Sequence, residues 1–370
     1  MHSEHAAVGS SRPPASPADD SSFPQILRAR LDNFFIEQNI SPKSDATMVV
    51  KIVIGIISWA ATYAALYAFG LTSWAFVSVY FLHGLTHIFL ILNVAHDSNH
   101  GAISRNPATN RLFSYAFEAC GISSYVFRLI HHREHHACIN VYAEDESLNG
   151  RRLFRSSPHD SRAWMHKYQH IYALLFYSLF SLDYVFVKDF LYFFGRCKYQ
   201  HDRRRLAREC ASLFAGKLAY VTYMIVLPIV ILGVSPALVA VTFLVTHLVV
   251  GLTVAIVFAT SHAVESTSFP KSRADFTDYA YHIFATTADY ATGNPIVTWL
   301  TGGLNHHVVH HLCPGVCHTH YPRLTQIAKE TAAEYRVRYR EAQSVRQALT
   351  RHLVLLKQLG SQTGPLPTTD

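Results

Sequence analysis

Histidine supplies the chemistry-bearing pattern in this sequence. Three clusters stand out among its 24 histidines: His96-Asp97-Ser98-Asn99-His100, His131-His132-Arg133-Glu134-His135-His136 and His306-His307-Val308-Val309-His310-His311. His96 and His100 are spaced i, i+4, which puts both imidazoles on one face of a helix. His132, His135 and His136 form H-x-x-H-H, and His307, His310 and His311 repeat that spacing. On α-helical phase His131 and His306 fall off those faces. Asp97 and Asn99 can act as acceptors that fix imidazole tautomers. His262 follows an apolar run as His96 does and joins the candidates. The candidate ligands are thus His96, His100, His132, His135, His136, His262, His307, His310 and His311. Nine imidazoles exceed the needs of one ion, so two metals are expected. An all-nitrogen set suits iron, copper, zinc or nickel. A redox site at a membrane surface favours iron with O₂.

The rest of the chain must bring these clusters together. Half of its residues are hydrophobic and only 15% are charged, against about 25% in ordinary soluble domains. No charged residue occurs from Ile52 through Ala95. Apolar runs at about 52–69, 71–92, 218–234 and 237–260 are each near the ~20 residues that a membrane-spanning helix needs. Gly70 tightly joins the first two, and Gly233 to Pro236 joins the second two. The expected fold is therefore an all-α integral membrane protein, with four transmembrane helices in two hairpins and a cytosolic helical cap. Pro228 predicts a kink. The aromatic stretch Tyr168 to Gly195 carries Asp183, Lys188 and Asp189, which predicts interfacial helices. Phe23 to Asn39 reads as an amphipathic lead-in helix lying near the membrane surface. Residues 1–22 and 361–370 read as disordered tails around a single domain, 23–360, and the start of the chain lacks the pattern of a signal peptide.

Charge sets the expected orientation. Neither short joint between paired runs carries Lys or Arg; the basic residues fall in the ends and the long loops. The positive-inside rule then places both termini and, by parity of four spans, every histidine cluster in the cytosol. The net charge of +7 is not arranged as a nucleic-acid footprint. The six cysteines show no framework and read as reduced thiols. Cys313, Cys317 and His318 lack the second paired half of a zinc site. His318 and His320 read as structural, and His83 and His87 as polar groups facing the interior of a helix bundle. A histidine-rich metal transporter is the rival class, but it places its ligands near mid-membrane; only His83, His87 and His247 fit that.

The three boxes resemble the signature of the membrane fatty acid desaturase family. NVAHDSNHGAISRNP, HHREHHACIN and TTADYATGNPIVTWLTGGLNHHVVHHLCPGVCHTHYPRL are similar to the bacterial linoleoyl-CoA-desaturase-like group, related to front-end desaturases; FATSHAVESTSFP and WMHKYQHIYA extend the likeness. It runs from about residue 26 to 360. It implies two iron ions, O₂ as co-substrate and a fatty acyl substrate held on CoA, lipid or a carrier protein. It also implies a bacterial inner-membrane location among membrane lipids. Front-end enzymes usually carry Tyr-Gln where this chain has His306-His307, Glu at Val309 and Phe at Cys313. These departures bear on which bond is attacked more than on the metal. Without a recognisable fused cytochrome b5 domain, an external donor such as ferredoxin or cytochrome b5 is expected. Arg151, Arg152, Arg155 and Arg203 to Arg205 are candidates to meet it. The alternative outcome on the same scaffold is a hydroxylase or acetylenase acting on a carrier-bound acyl chain.

Overall fold

The computed structural model describes residues 22–68, 72–146, 152–196 and 202–361. Most of both expected tails, the joint at Gly70, Arg151 and Cys197 lie outside these. Four helices are long and apolar enough to cross a membrane: Ala46–Tyr67, Ser73–Asn99, Arg203–Val230 and Pro236–His262. The shortest, at 22 residues, spans about 33 Å at 1.5 Å per residue. Their outward faces remain uncovered by protein: Val53, Ile57, Leu218, Val230, Val241 and Leu244 are all exposed. In a chain this apolar, such faces belong against lipid, where the helix satisfies its own backbone.

Pro236–His262 is the central post. It packs against Ser73–Phe89, against Gln169–Ser178 and Phe180–Asp183, and against Val345–Ser361; helix Ala46–Ala68 lies on the far side of Ser73–Phe89. Two glycines allow these close crossings. A methyl on Gly84 would stand 2.0 Å from Thr246 Cγ2, and one on Gly251 would stand 2.4 Å from the Ser178 carbonyl oxygen. Both approaches are closer than any side chain tolerates.

The helices run further than the apolar runs suggest, always toward the histidines. The second continues through a π-helical turn, Leu90–Ala95, into His96–Asn99. The third begins at Arg203, where Asp202 caps it by accepting from Arg205 N–H at 2.9 Å. A second π-turn, Thr222–Val226, directly precedes Pro228 and absorbs the hydrogen bond that the proline ring cannot donate. The aromatic stretch forms a broken pair, Trp164–Ser178 and Phe180–Gly195, bent by 58°. Its Asp189 is fully buried and bonds Lys217 Nζ at 2.6 Å, and that ammonium also donates to the carbonyls of Gly121 and Tyr184. Of the three charges in this stretch, that of Asp189 is thus neutralised inside the bundle by Lys217.

One expectation needs correcting. The lead-in helix, Phe23–Glu37, does not lay its apolar stripe on a membrane surface. Phe23, Leu27 and Leu31 are buried against Leu324, Ala328 and Ala332 of helix Tyr321–Glu334. Arg30 ties the two together through Glu334 at 2.7 Å. The period of the stripe was right, but protein covers it. The polar remainder is a set of short helices with a two-residue parallel bridge, Asp289–Tyr290 with Glu341–Ala342.

Candidate metal centre

The three boxes and His262 converge in one buried cluster. The nitrogens of His96, His100, His131 and His310 lie within 4.8 Å of one another; so do those of His135, His262, His307 and His311. His136, with His310 and His311, forms a third group between them. Each element delivers its ligands by a local rule. His96 and His100 stand at the end of a long apolar helix. His262 is the last residue of helix Pro236–His262. His307, His310 and His311 fall on the short helix His307–Leu312.

The second box departs from α-helical phase. Leu129–His135 is a π-helix, closed by His136 N–H donating to His131 O at 2.8 Å. In that geometry residues five apart align, so His131 faces His136, their Nε2 atoms 3.2 Å apart. Its Nε2 also lies 3.2 Å from that of His96. The expectation that His131 points elsewhere is overturned, because it assumed 3.6 residues per turn. His132 falls outside the three groups. Its ring stacks on His100 at 4.3 Å, and its Nε2 is buried without a partner. The other eight candidates sit within the groups.

The protonation pattern shows what the cluster is built to hold. His135 Nδ1 lies 3.1 and 3.2 Å from the Asp145 carboxylate oxygens, so it carries the proton and donates. His262 Nδ1 faces the Thr286 carbonyl at 3.4 Å, and His307 Nδ1 faces that of Leu304 at 2.9 Å. Each remote nitrogen is therefore a donor, leaving Nε2 as a lone pair aimed inward. Yet His262 Nε2 stands 3.1 Å from His135 Nε2 and 3.0 Å from His311 Nε2. Lone pairs at that range repel, and one proton cannot serve three nitrogens. Nitrogens about 2.1 Å from one shared ion would show this spacing. His100 Nε2 and His307 Nε2 are likewise buried with no hydrogen-bond partner. Burial, then the neighbouring imidazoles, pushes the pKa of His136, His310 and His311 well below the usual value. For His307 burial is again the main cause, and its value falls to about 3. These rings are neutral at pH 7, the form in which imidazole can bind a metal. The residues present fit a pair of metal ions.

Five other histidines have hydrogen-bond partners away from these groups. His306 is held between the hydroxyls of Thr325 and Thr298, at 2.9 and 3.1 Å. His318 lies between Asp97 and Lys51, 2.8 Å from each. His83 and His87 bond the hydroxyls of Thr62 and Tyr223, and His247 those of Ser181 and Tyr220. The three that a transporter reading relies on thus have hydroxyl partners and lie outside the nitrogen groups. Sequence reasoning also missed the orienting groups Asp145 and Tyr321, the latter 3.2 Å from His310 Nδ1. A carboxylate ten residues beyond His135 was the one available signal. Beside the cluster lies a cavity of about 220 Å³. His131, His135 and His262 touch it, Phe127, Ala255 and Phe258 wall it, and Leu355, Leu356 and Leu359 of the C-terminal helix also line it.

The fatty acid desaturase family profile matches residues 72–343. The chain belongs to the fatty acid desaturase family. It is similar to the sn-1 linoleoyl-lipid 6-desaturase of Synechocystis sp. (strain ATCC 27184 / PCC 6803 / Kazusa), 32% identical over 91% of this chain and 95% of the relative. The sn-1 linoleoyl-lipid 6-desaturase of Arthrospira platensis is 29% identical over 91% and 92%. The acyl-lipid (8-3)-desaturase of Physcomitrium patens is 29% identical over 93% of this chain and 72% of its own length. This desaturase therefore falls in the linoleoyl-desaturase-like, front-end branch and is an oxidoreductase of fatty acid metabolism. Arg155, one of the cations expected to meet a donor, is buried in it. Its guanidinium donates to the carbonyls of Pro158, Asp160 and Leu359, so it fixes the C-terminal helix instead.

Proposed function

We propose that this desaturase introduces a double bond into a fatty acyl chain carried on a membrane lipid, using O₂ and electrons from an external donor. His96, His100, His131 and His310 would hold one iron ion, with His132 beside them. His135, His262, His307 and His311 would hold the second, with His136 between the two. Bound iron would supply, with O₂, the oxidising power to remove hydrogen from an unactivated C–H bond. The balance is simple: two C–H bonds break and one C=C bond forms, and O₂ takes up those two hydrogens together with two electrons and two protons from outside to give two waters.

The chain's own residues do the rest. Asp145 and the Leu304 and Thr286 carbonyls hold the tautomers of His135, His307 and His262, so that the Nε2 of each is free to act as a ligand. Phe127, Ala255 and Phe258 present an apolar wall that takes a methylene chain and keeps water from its reacting carbons. The lipid carrier is favoured over CoA or a carrier protein by the names of the relatives. The positive-inside bias supports a cytosolic site, with two helical hairpins in a bacterial inner membrane and a cytosolic helical cap. The observation that carries the metal reading is the set of facing Nε2 lone pairs around His262.

The deciding experiment is expression in a host of simple lipid composition, with mass spectrometry that localises double bonds, beside metal analysis of the purified protein. New olefins in lipid-linked chains and two irons per chain are expected. Hydroxy or alkynyl products would move the reaction, and one zinc without iron would end the oxygenase reading.

A further inference from the structure

A second concavity opens on the other flank of the first box. It has a volume of about 630 Å³ and is lined by four cations, Lys43, Arg105, Arg111 and Arg128, with Ser98 and Asn99 of the box among the other residues around it. No residue that lines it also lines the acyl cavity. Two of the four cations are held by neutral groups and one by a carboxylate. Lys43 Nζ donates to the carbonyls of Gly101 and Gly315 at 2.9 and 2.8 Å. Arg128 donates twice to Asn99 Oδ1, at 3.1 and 2.8 Å. Arg111 meets the buried Glu209 at 3.3 Å. Arg105 is exposed. Burial, then the charge of Arg105, lowers the pKa of Lys43. The rim adds exposed Leu112 and Tyr115 beside Arg111, whose Nε donates to the Tyr115 hydroxyl. Arginine interleaved with aromatic and aliphatic surface is the composition of a protein-binding patch.

We propose that this groove is the docking surface for an acidic electron-donor protein, and that electrons enter through Asn99 and its neighbour His100. The inference rests on the desaturase reading above. That reaction needs two electrons per double bond, delivered without displacing the acyl chain. The groove meets both needs: it abuts the residue next to a ligand, and it stands apart from the acyl cavity. Asn99 is fixed for this role, since its side chain accepts from Arg128 and donates to Ser124 O at 3.2 Å. A donor seated here by carboxylates would bind in a salt-dependent way.

The test uses the full chain in discs of neutral phosphatidylcholine with a fluorescently labelled acidic [2Fe–2S] ferredoxin. Arg105→Glu should raise the dissociation constant at least fivefold, and Arg105→Glu with Arg111→Gln at least tenfold, with a shallower salt dependence. Arg105→Lys should stay near wild type. In the reductase-coupled olefin assay the KM for ferredoxin should rise in parallel, while iron content and the rate at saturating ferredoxin hold. Unchanged ferredoxin affinity in both charge variants overturns the proposal. So does a defect seen only as lost binding to discs containing phosphatidylglycerol, which would assign the groove to a lipid phosphate. Charge-dependent ferredoxin binding without olefin from the wild type would refute the desaturase reading and leave the docking surface standing.

Discussion

Gly302 is where the first and third boxes are locked in register, and replacing it by alanine should unmake the site without touching a ligand. The residue has φ +61°, in the left-handed region. A methyl built there would stand 2.2 Å from the Leu92 carbonyl oxygen and 2.7 Å from its carbon. Both obstacles are backbone, in the π-turn that leads into His96. Asn93, the next residue, donates to Leu300 O at 3.2 Å and so clamps the same two segments from the other side. The left-handed conformation costs alanine roughly 1–2 kcal/mol, and forcing a methyl into a packed contact adds about 1–3 kcal/mol. Relief requires the turn carrying His306 to His311 to back away by more than an ångström, and a displacement of about 1 Å at a reacting centre can cost 10²-fold in rate. We expect Gly302→Ala to lose at least a hundredfold in olefin formation, to bind iron substoichiometrically and to melt at a lower temperature in detergent. Gly293→Ala, whose methyl would meet nothing within 4 Å, is the control and should match wild type. Wild-type turnover and iron content in Gly302→Ala would refute the reasoning.

Three further outcomes follow from the site and its surroundings. His131→Ala should lower iron content below that of His132→Ala, because His131 Nε2 lies in a ligand group and His132 Nε2 does not; metal analysis of the two variants side by side checks it, and the reverse order would restore the α-helical phase of the box. Ala259→Leu extends a side chain into the 220 Å³ cavity and should cut olefin yield at least tenfold at unchanged iron content, read by lipid profiling; undiminished yield would place the acyl chain elsewhere. Asp289 is pushed up to about 7 by burial, against hydrogen bonds from Tyr339 O–H and Val308 N–H. Its unfolded value is ~3.9, so between those values the folded chain holds more protons than the unfolded one, and stability falls as pH rises through that window. Asp289→Asn should flatten that decline in melting temperature, and an unaltered slope would exclude Asp289 as its source.

The features read directly from the sequence are those that residue type and spacing express locally. Uncharged apolar runs announce the long helices. The repeated H-x-x-H-H marks two histidine sets that the fold brings together, though His132 falls outside the nitrogen groups, and the position of His262 at the end of an apolar run marks a further member. What escaped depends on backbone phase or on distant partners. A π-turn adds one residue to a turn and leaves no mark in composition, so Leu129–His135 looked α-helical and His131 was set aside. The stripe of Phe23, Leu27 and Leu31 says that one face is covered, and whether lipid or protein covers it is decided by Leu324 and Ala328, some 300 residues away. Arg155 looked like surface charge because nothing local reveals that the carbonyl of Leu359, the residue 204 positions on, ends at its guanidinium.

The two π-turns beside boxes also explain why the cluster can be so dense. An α-helix places imidazoles at i, i+3 and i+4 along one stripe. The wider turn at Leu129–His135 lets His131 and His136 face each other while His135 turns to Asp145 and His262. One short segment thereby serves both nitrogen groups. The turn at Leu90–Ala95 sits where Gly302 presses on Leu92, so the register of the first box is set by contact with the approach to the third. Positioning of the ligands therefore rests on backbone packed against backbone. That is stiffer than any side-chain contact, and it suits a site whose converging lone pairs repel one another until an ion stands between them.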